Sequence, residues 1–136
     1  MIDTIGGKVV MVSNQATALD FYVNKLGLQK KVDMEFGPMR WLEVAPQNSD
    51  STISLMEPST KFMPPEAVEA AKRSIGTPTG LWFYSNDIQG TYAELKAKGV
   101  NITQPEKQEW GGIMSAIKDQ DGNEFQLISA PEPTKK

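Results

Sequence analysis

Histidine and cysteine are both absent from these 136 residues. Their absence removes the usual general base near neutral pH, the commonest metal ligand, thiolate nucleophiles, disulfides and every Ser-His or Cys-His pair. The chemistry left rests on carboxylates, hydroxyls, amines and amides. Glu43 lies within an apolar stretch and Glu57 at the end of one, and either carboxylate could accept a proton. A solvated charge at a strand end is the simpler explanation of either. Ser13, Ser85 and Ser115 have no histidine to activate them, and no motif links Lys8 to any serine. Gly111-Gly112 beside Trp110 lacks the spacing of a phosphate-cradling loop and reads as the opening of a hairpin.

Composition narrows the partners. Fourteen basic against seventeen acidic residues give a net charge of −3, and no basic run exceeds two residues. A phosphate-tracking surface for nucleic acid is not expected. No apolar run approaches the roughly 20 residues of a membrane-spanning helix. Met1-Ile2-Asp3-Thr4 carries neither a basic nor an apolar signal region, so a cytoplasmic location is expected.

The elements that position these side chains follow from periodicity. Ile5 to Val12 is apolar and β-branched and predicts a strand. Asn14 caps a helix bearing Leu19, Tyr22, Val23 and Leu26, which Gly27 stops. Leu28 to Phe36 predicts a strand with a polar face, Gly37-Pro38 a turn, and Met39 to Ala45 the returning strand. Thr52 to Glu57 alternates as a fourth strand. Residues 58–78 hold four prolines and a short helical piece, roughly 65–75, and read as a linker. The order then repeats. Gly80 to Ser85 is a strand, Asn86 or Asp87 caps a helix ending at Gly99, and Val100 to Thr103 opens a further strand that Pro105 marks as an edge or bulged one. Gly112 to Lys118 and Glu124 to Ser129 form a closing hairpin about Asp121-Gly122.

The two halves superimpose at an offset of about 72–75 residues, a twofold internal repeat. The expected fold is α+β: two tandem β-α-β-β-β modules forming a curved mixed sheet with helices on the convex face. The chain is expected to be one domain. Its first module covers about 5–57, the linker 58–78, the second module about 79–130, and a solvated tail 131–136.

Side chains alternate across a strand, so facing Val10 and Val12 to the helix fixes the remaining parities. The face away from the helices then carries Met11, Met39, Trp41, Glu43, Ser54, Met56, Trp82, Tyr84, Met114 and Gln126. That is an apolar, aromatic surface suited to a flat or greasy ligand. The competing reading is that this face fills itself as core or is covered by a partner.

Several segments carry a resemblance. Val9-Val10-Met11-Val12, Ala18-Leu19-Asp20-Phe21-Tyr22 and Leu26-Gly27-Leu28 resemble the opening of vicinal oxygen chelate proteins, the glyoxalase/bleomycin resistance protein/dioxygenase family. Arg40-Trp41-Leu42-Glu43-Val44-Ala45-Pro46 resembles that family's third strand. Asn86-Asp87-Ile88, Tyr92-Ala93-Glu94-Leu95-Lys96 and Lys98-Gly99 resemble its second helix. Asp119-Gln120-Asp121-Gly122-Asn123-Glu124-Phe125 is similar to its closing hairpin.

The resemblance implies a metal site in the catalytic members, with ligands on the first and last strands of each module. The matching positions here are Gly7, Ser54, Gly80 and Gln126. Two glycines, a hydroxyl and an amide do not make a divalent-metal site. No metal and no cofactor are therefore expected, and metal-dependent lyase or dioxygenase activity is disfavoured. What the resemblance then implies is a binding protein of the bleomycin resistance type. It would hold or sequester a small hydrophobic or aromatic molecule, an antibiotic among the candidates, in the cleft between modules. It would act as a homodimer, with no nucleic-acid or membrane partner. One alternative is a metal-independent enzyme, lyase or isomerase-like, that uses Glu43 for proton transfer. Another is an interaction module with its cleft face buried.

Overall fold

The computed structural model describes residues 1–130. The expected tail falls outside that range. The chain is mixed α+β, as expected, and its strands hydrogen-bond as two mixed sheets, one per module. Two compact units result. One comprises Met1–Thr77 with Gln120–Asn123, and the other Pro78–Asp119 with the chain from Glu124 on.

In the first unit β1 (Gly7–Met11) leads into α1 (Gln15–Asp20), which continues as a π-helical turn over Phe21–Lys25. Asn14 caps α1 as expected, its side chain accepting from Thr17 N. Glu57 also caps it: Gln15 N donates to Glu57 Oε1 at 2.7 Å. A carboxylate at a helix N-terminus is electrostatically favoured, which gives Glu57 a structural task. In the π-helical turn Leu26 N reaches back five residues to Phe21 O. The wider turn lets two adjacent rings, Phe21 and Tyr22, both be buried, 5.6 Å apart edge to face.

Then follow β2 (Gln29–Phe36), β3 (Met39–Ala45) and β4 (Thr52–Met56), in the sheet order β1-β4-β3-β2. β1 and β4 are parallel; the other pairs are antiparallel. Val12, Leu42, Val44 and Leu55 are fully buried on the helix-facing side. Each contributes about 1.5–3 kcal/mol relative to exposure. The linker region holds α2 (Pro65–Ser74), which buries Val68 and Ala71.

In the second unit β5 (Pro78–Ser85) precedes α3 (Ile88–Ala97), capped by Asp87 through Gly90 N. Where one edge or bulged strand was expected from Val100, there are two short strands, β6 (Asn101–Ile102) and β7 (Glu106–Lys107), both paired with β8 (Ile113–Lys118). Pro105 lies in the break between them. β9 (Glu124–Ser129) sits between β5 and β8. Its Phe125 and Leu127 are buried, and Phe125 packs on Phe83 with ring centroids 5.4 Å apart.

The β8–β9 turn belongs to the first unit. Asn123, 2% exposed, accepts from Gly76 N at 2.8 Å and donates to Met11 O at 3.1 Å. Asp121 accepts from both the backbone N and the hydroxyl of Ser13. Ser13 is thus held by a carboxylate at a chain junction.

Candidate functional site

In β3, Leu42 and Val44 are buried while Met39, Trp41 and Glu43 are half-buried on the opposite face. Register aligns the rest of that face. Glu43 lies directly opposite Ser54, Ser54 beside Val9, and Met56 beside Met11. These residues share one side of the first sheet.

β2 adds three members that the reading of a polar strand missed. A bulge between Lys30 and Val32 shifts the register, so that Val32, Met34 and Phe36 face Glu43, Trp41 and Met39. Met34 and Phe36 are each 52% exposed. The signal for them was present as Val32-x-Met34-x-Phe36, an apolar alternation inside a charged strand. The opposite face of the same hairpin carries charge. Arg40 donates Nε and Nη2 to Asp33 at 2.9 and 2.8 Å, and Lys30 adds a bond at 3.2 Å. The Arg40 guanidinium and the Lys30 ammonium hold the Asp33 carboxyl well below the usual carboxylate range.

A hollow of about 200 Å³ opens at one end of the first face, lined by Gly6, Gly7, Lys8, Val9, Trp41, Glu43, Thr52 and Ser54. Glu43 is pinned in it from two sides. Trp41 Nε1 donates to Oε2 at 2.5 Å, and Thr52 Oγ1 donates to Oε1 at 2.7 Å. Opposite Glu43, the hydroxyl of Ser54 is buried and has no hydrogen-bond partner among the described residues. Such a group is costly in a folded protein unless something else satisfies it.

In the second unit the predicted residues again share a face. Trp82 pairs with Gln126, which pairs with Ala116; Tyr84 pairs with Ile128, which pairs with Met114. Trp82 and Tyr84 are 52% and 58% exposed, with ring centroids 6.4 Å apart edge to face. They are not core. Buried or half-buried Leu81, Phe83, Phe125, Leu127, Ser115 and Ile117 take the other side.

The positions matching the family's metal ligands do not fit a metal. A Cβ on Gly7 would lie 1.9 Å from the carbonyl oxygen of Thr52, so no side chain stands there without moving the backbone. Gly80 has φ +76°, inside an irregular stretch of β5 between Pro78 and Trp82, a conformation that strains any L side chain. Ser54 and Gln126 are neutral, weak donors. Among the described residues no cluster of three or more Asp and Glu stands close enough to hold an ion.

Comparison with known proteins agrees with this architecture. The model of the Glyoxalase/Bleomycin resistance protein/Dioxygenase superfamily matches residues 2–127. YurT of Bacillus subtilis is 38% identical over 123 residues, covering 88% of this chain and 93% of YurT. A superfamily member from Sphaerobacter thermophilus superposes with a TM-score of 0.83 at 33% identity, covering 95% of this chain and 98% of that one. TnmS3, an antibiotic binding protein from Streptomyces sp. CB03234, superposes with a TM-score of 0.76 at 28% identity, covering 96% and 98%. With its strand order, its duplicated module and this match over nearly its whole length, the chain belongs to the glyoxalase/bleomycin resistance protein/dioxygenase superfamily.

Proposed function

We propose that the protein binds a small hydrophobic or aromatic molecule on these apolar sheet faces and holds it without transforming it. The carrying observation is the exposure of Trp82 and Tyr84 together on one strand face, in a unit whose other face supplies the core. Exposed aromatic pairs of this kind mark binding surfaces. An antibiotic is one molecule of this class, as the description of TnmS3 suggests by analogy. Proton transfer by Glu43 is the second reading, supported by that carboxylate's place in the hollow. Holding is preferred because the chain has no histidine to share a proton transfer with that carboxylate.

Titration with a planar probe, methylnaphthalene, followed by tryptophan fluorescence tests the reading. Saturable quenching without turnover is expected. Trp82→Ala should weaken the probe by about 0.5–1.5 kcal/mol beyond area burial. Its cost to folding should stay well below the roughly 3–5 kcal/mol of a core tryptophan. Ligand-independent fluorescence, or a core-sized loss of stability, would overturn the proposal.

A further inference from the structure

We propose that the hollow of the first unit takes the hydrogen-bond-donating head of an apolar ligand, a protonated amine above all, with Glu43 as its acceptor. This rests on the ligand-binding reading above and names the chemistry of the ligand's polar end.

Three observations carry it. The first is the charge. Glu43 is a half-buried carboxylate with no ion-pair partner among the described residues, although Lys8 borders the same hollow. Ion pairs at Asp33 with Lys30 and Arg40, and at Glu94 with Lys98, lie elsewhere. A half-buried carboxylate that forms no ion pair of its own favours a cation or a strong donor over an anion.

The second is orientation. The Trp41 indole N–H and the Thr52 hydroxyl each hold one oxygen of Glu43. A carboxylate has about four lone-pair sites, so two donors fix its plane and leave acceptor capacity for a third. Trp41 therefore serves twice, as an apolar wall and as a tether.

The third is Ser54. Its buried hydroxyl has no partner among the described residues, and it stands directly across from Glu43. Cross-strand neighbours place their Cβ atoms about 4.5–5.5 Å apart. An ammonium carries three donors and a hydroxyl carries one donor and two lone pairs. A head of either kind seated against Glu43 has donors or lone pairs to spare for Ser54. Val9, 40% exposed, and Trp41 line the hollow and offer the apolar body a seat.

The test uses one ring system with four substituents: naphthalenemethylamine, naphthalenemethanol, methylnaphthalene and naphthoate. The expected order is amine, then alcohol, then methylnaphthalene, with naphthoate weakest. A charged hydrogen bond should favour the amine over methylnaphthalene by about tenfold or more. Glu43→Gln should remove most of that advantage and leave methylnaphthalene within about twofold. Ser54→Ala should weaken the alcohol by about threefold, as for one neutral hydrogen bond, and the amine by at least as much, because its bond is charge-assisted. Should Glu43→Gln fail to fold, Trp41→Phe keeps the charge and a ring but releases one tether, and it must also reduce the amine's advantage. Naphthoate binding as tightly as the amine, or an amine advantage that survives both substitutions, would overturn the inference. Equal binding of all four would leave the ligand-binding reading standing and remove this one. Binding of none would remove both.

Discussion

Ser54→Ala is expected to make the free protein more stable, against the usual direction of core mutations. Ser54 is 4% exposed, between Ile53 at 4% and Leu55 at 0%, and its hydroxyl has no hydrogen-bond partner among the described residues. Burying an unsatisfied polar group costs about 1–3 kcal/mol. Deleting the oxygen recovers that and forfeits a few dispersion contacts of about 0.1–0.2 kcal/mol each. The backbone stays a strand, since alanine needs no unusual torsion. The balance is a gain of about 1 kcal/mol, or about 3–5 °C in melting midpoint for a chain of this size. Urea denaturation measures it directly, with the midpoint rising and the slope unchanged. If Ser54→Ala instead loses 1 kcal/mol or more, the hydroxyl has a partner in the folded protein and the reasoning fails. Together with the expected loss of amine affinity, the outcome would be a site that gives up stability to keep a hydroxyl ready.

Asp33→Asn should cost about 0.5–1 kcal/mol at neutral pH, the range of a partly exposed ion pair. The folded Asp33 carboxyl sits below its unfolded value of about 3.9, so its contribution is present above that pH and is lost as the pH falls further. The gap between parent and variant should therefore close in acid, and a gap independent of pH would refute the assignment. Elemental analysis should find no stoichiometric zinc, nickel or iron at the Gly7, Ser54, Gly80 and Gln126 positions; about one metal per chain, removed by chelator together with a measurable property, would contradict this. A homodimer is expected because β1 and β2 are edges of one sheet and β5 and β6 edges of the other. Light scattering should give twice the chain mass of 15.0 kDa, and a value near the single chain would oppose it.

Much of this was legible from local rules. Side-chain alternation, carried over from Val10 and Val12 facing the helix, put Trp82 and Tyr84 on the face away from it; in the structure both are exposed while Phe83 between them packs on Phe125. Asn14 and the pair Asn86-Asp87 are short polar residues before apolar periodic runs; Asn14 caps its helix, and of the pair it is Asp87 that caps the other. What was hidden depended on distant partners. The π-helical turn at Phe21 is set by burying two neighbouring rings, which shifts the buried stripe to Ala18, Phe21 and Tyr22. The bulge at Lys31 decides that Val32, Met34 and Phe36 share a face with Trp41, and no local composition marks a bulge there. Glu57 looked like a solvated charge until folding brought it to the start of α1, 42 residues away in sequence. The pinning of Glu43 by Thr52 likewise needs β4 to lie beside β3.

Gly7 sets a limit on where mutation can take this scaffold. A single codon change at that position does not simply add a donor. Its first atom collides with the Thr52 carbonyl, and Thr52 N also bonds Gly6 O at 2.9 Å, so the edge pairing of β1 with β4 has to loosen before any longer side chain is seated. Every intermediate on a path toward a chelating residue there begins with a loss of stability and no gain in chemistry. Substitutions at Val9, Met34 or Trp41 meet no such barrier, because those side chains already stand at the surface or rim. Drift in such a protein runs toward new pocket shapes and new ligands far more readily than toward a metal, and laboratory evolution should encounter the same asymmetry.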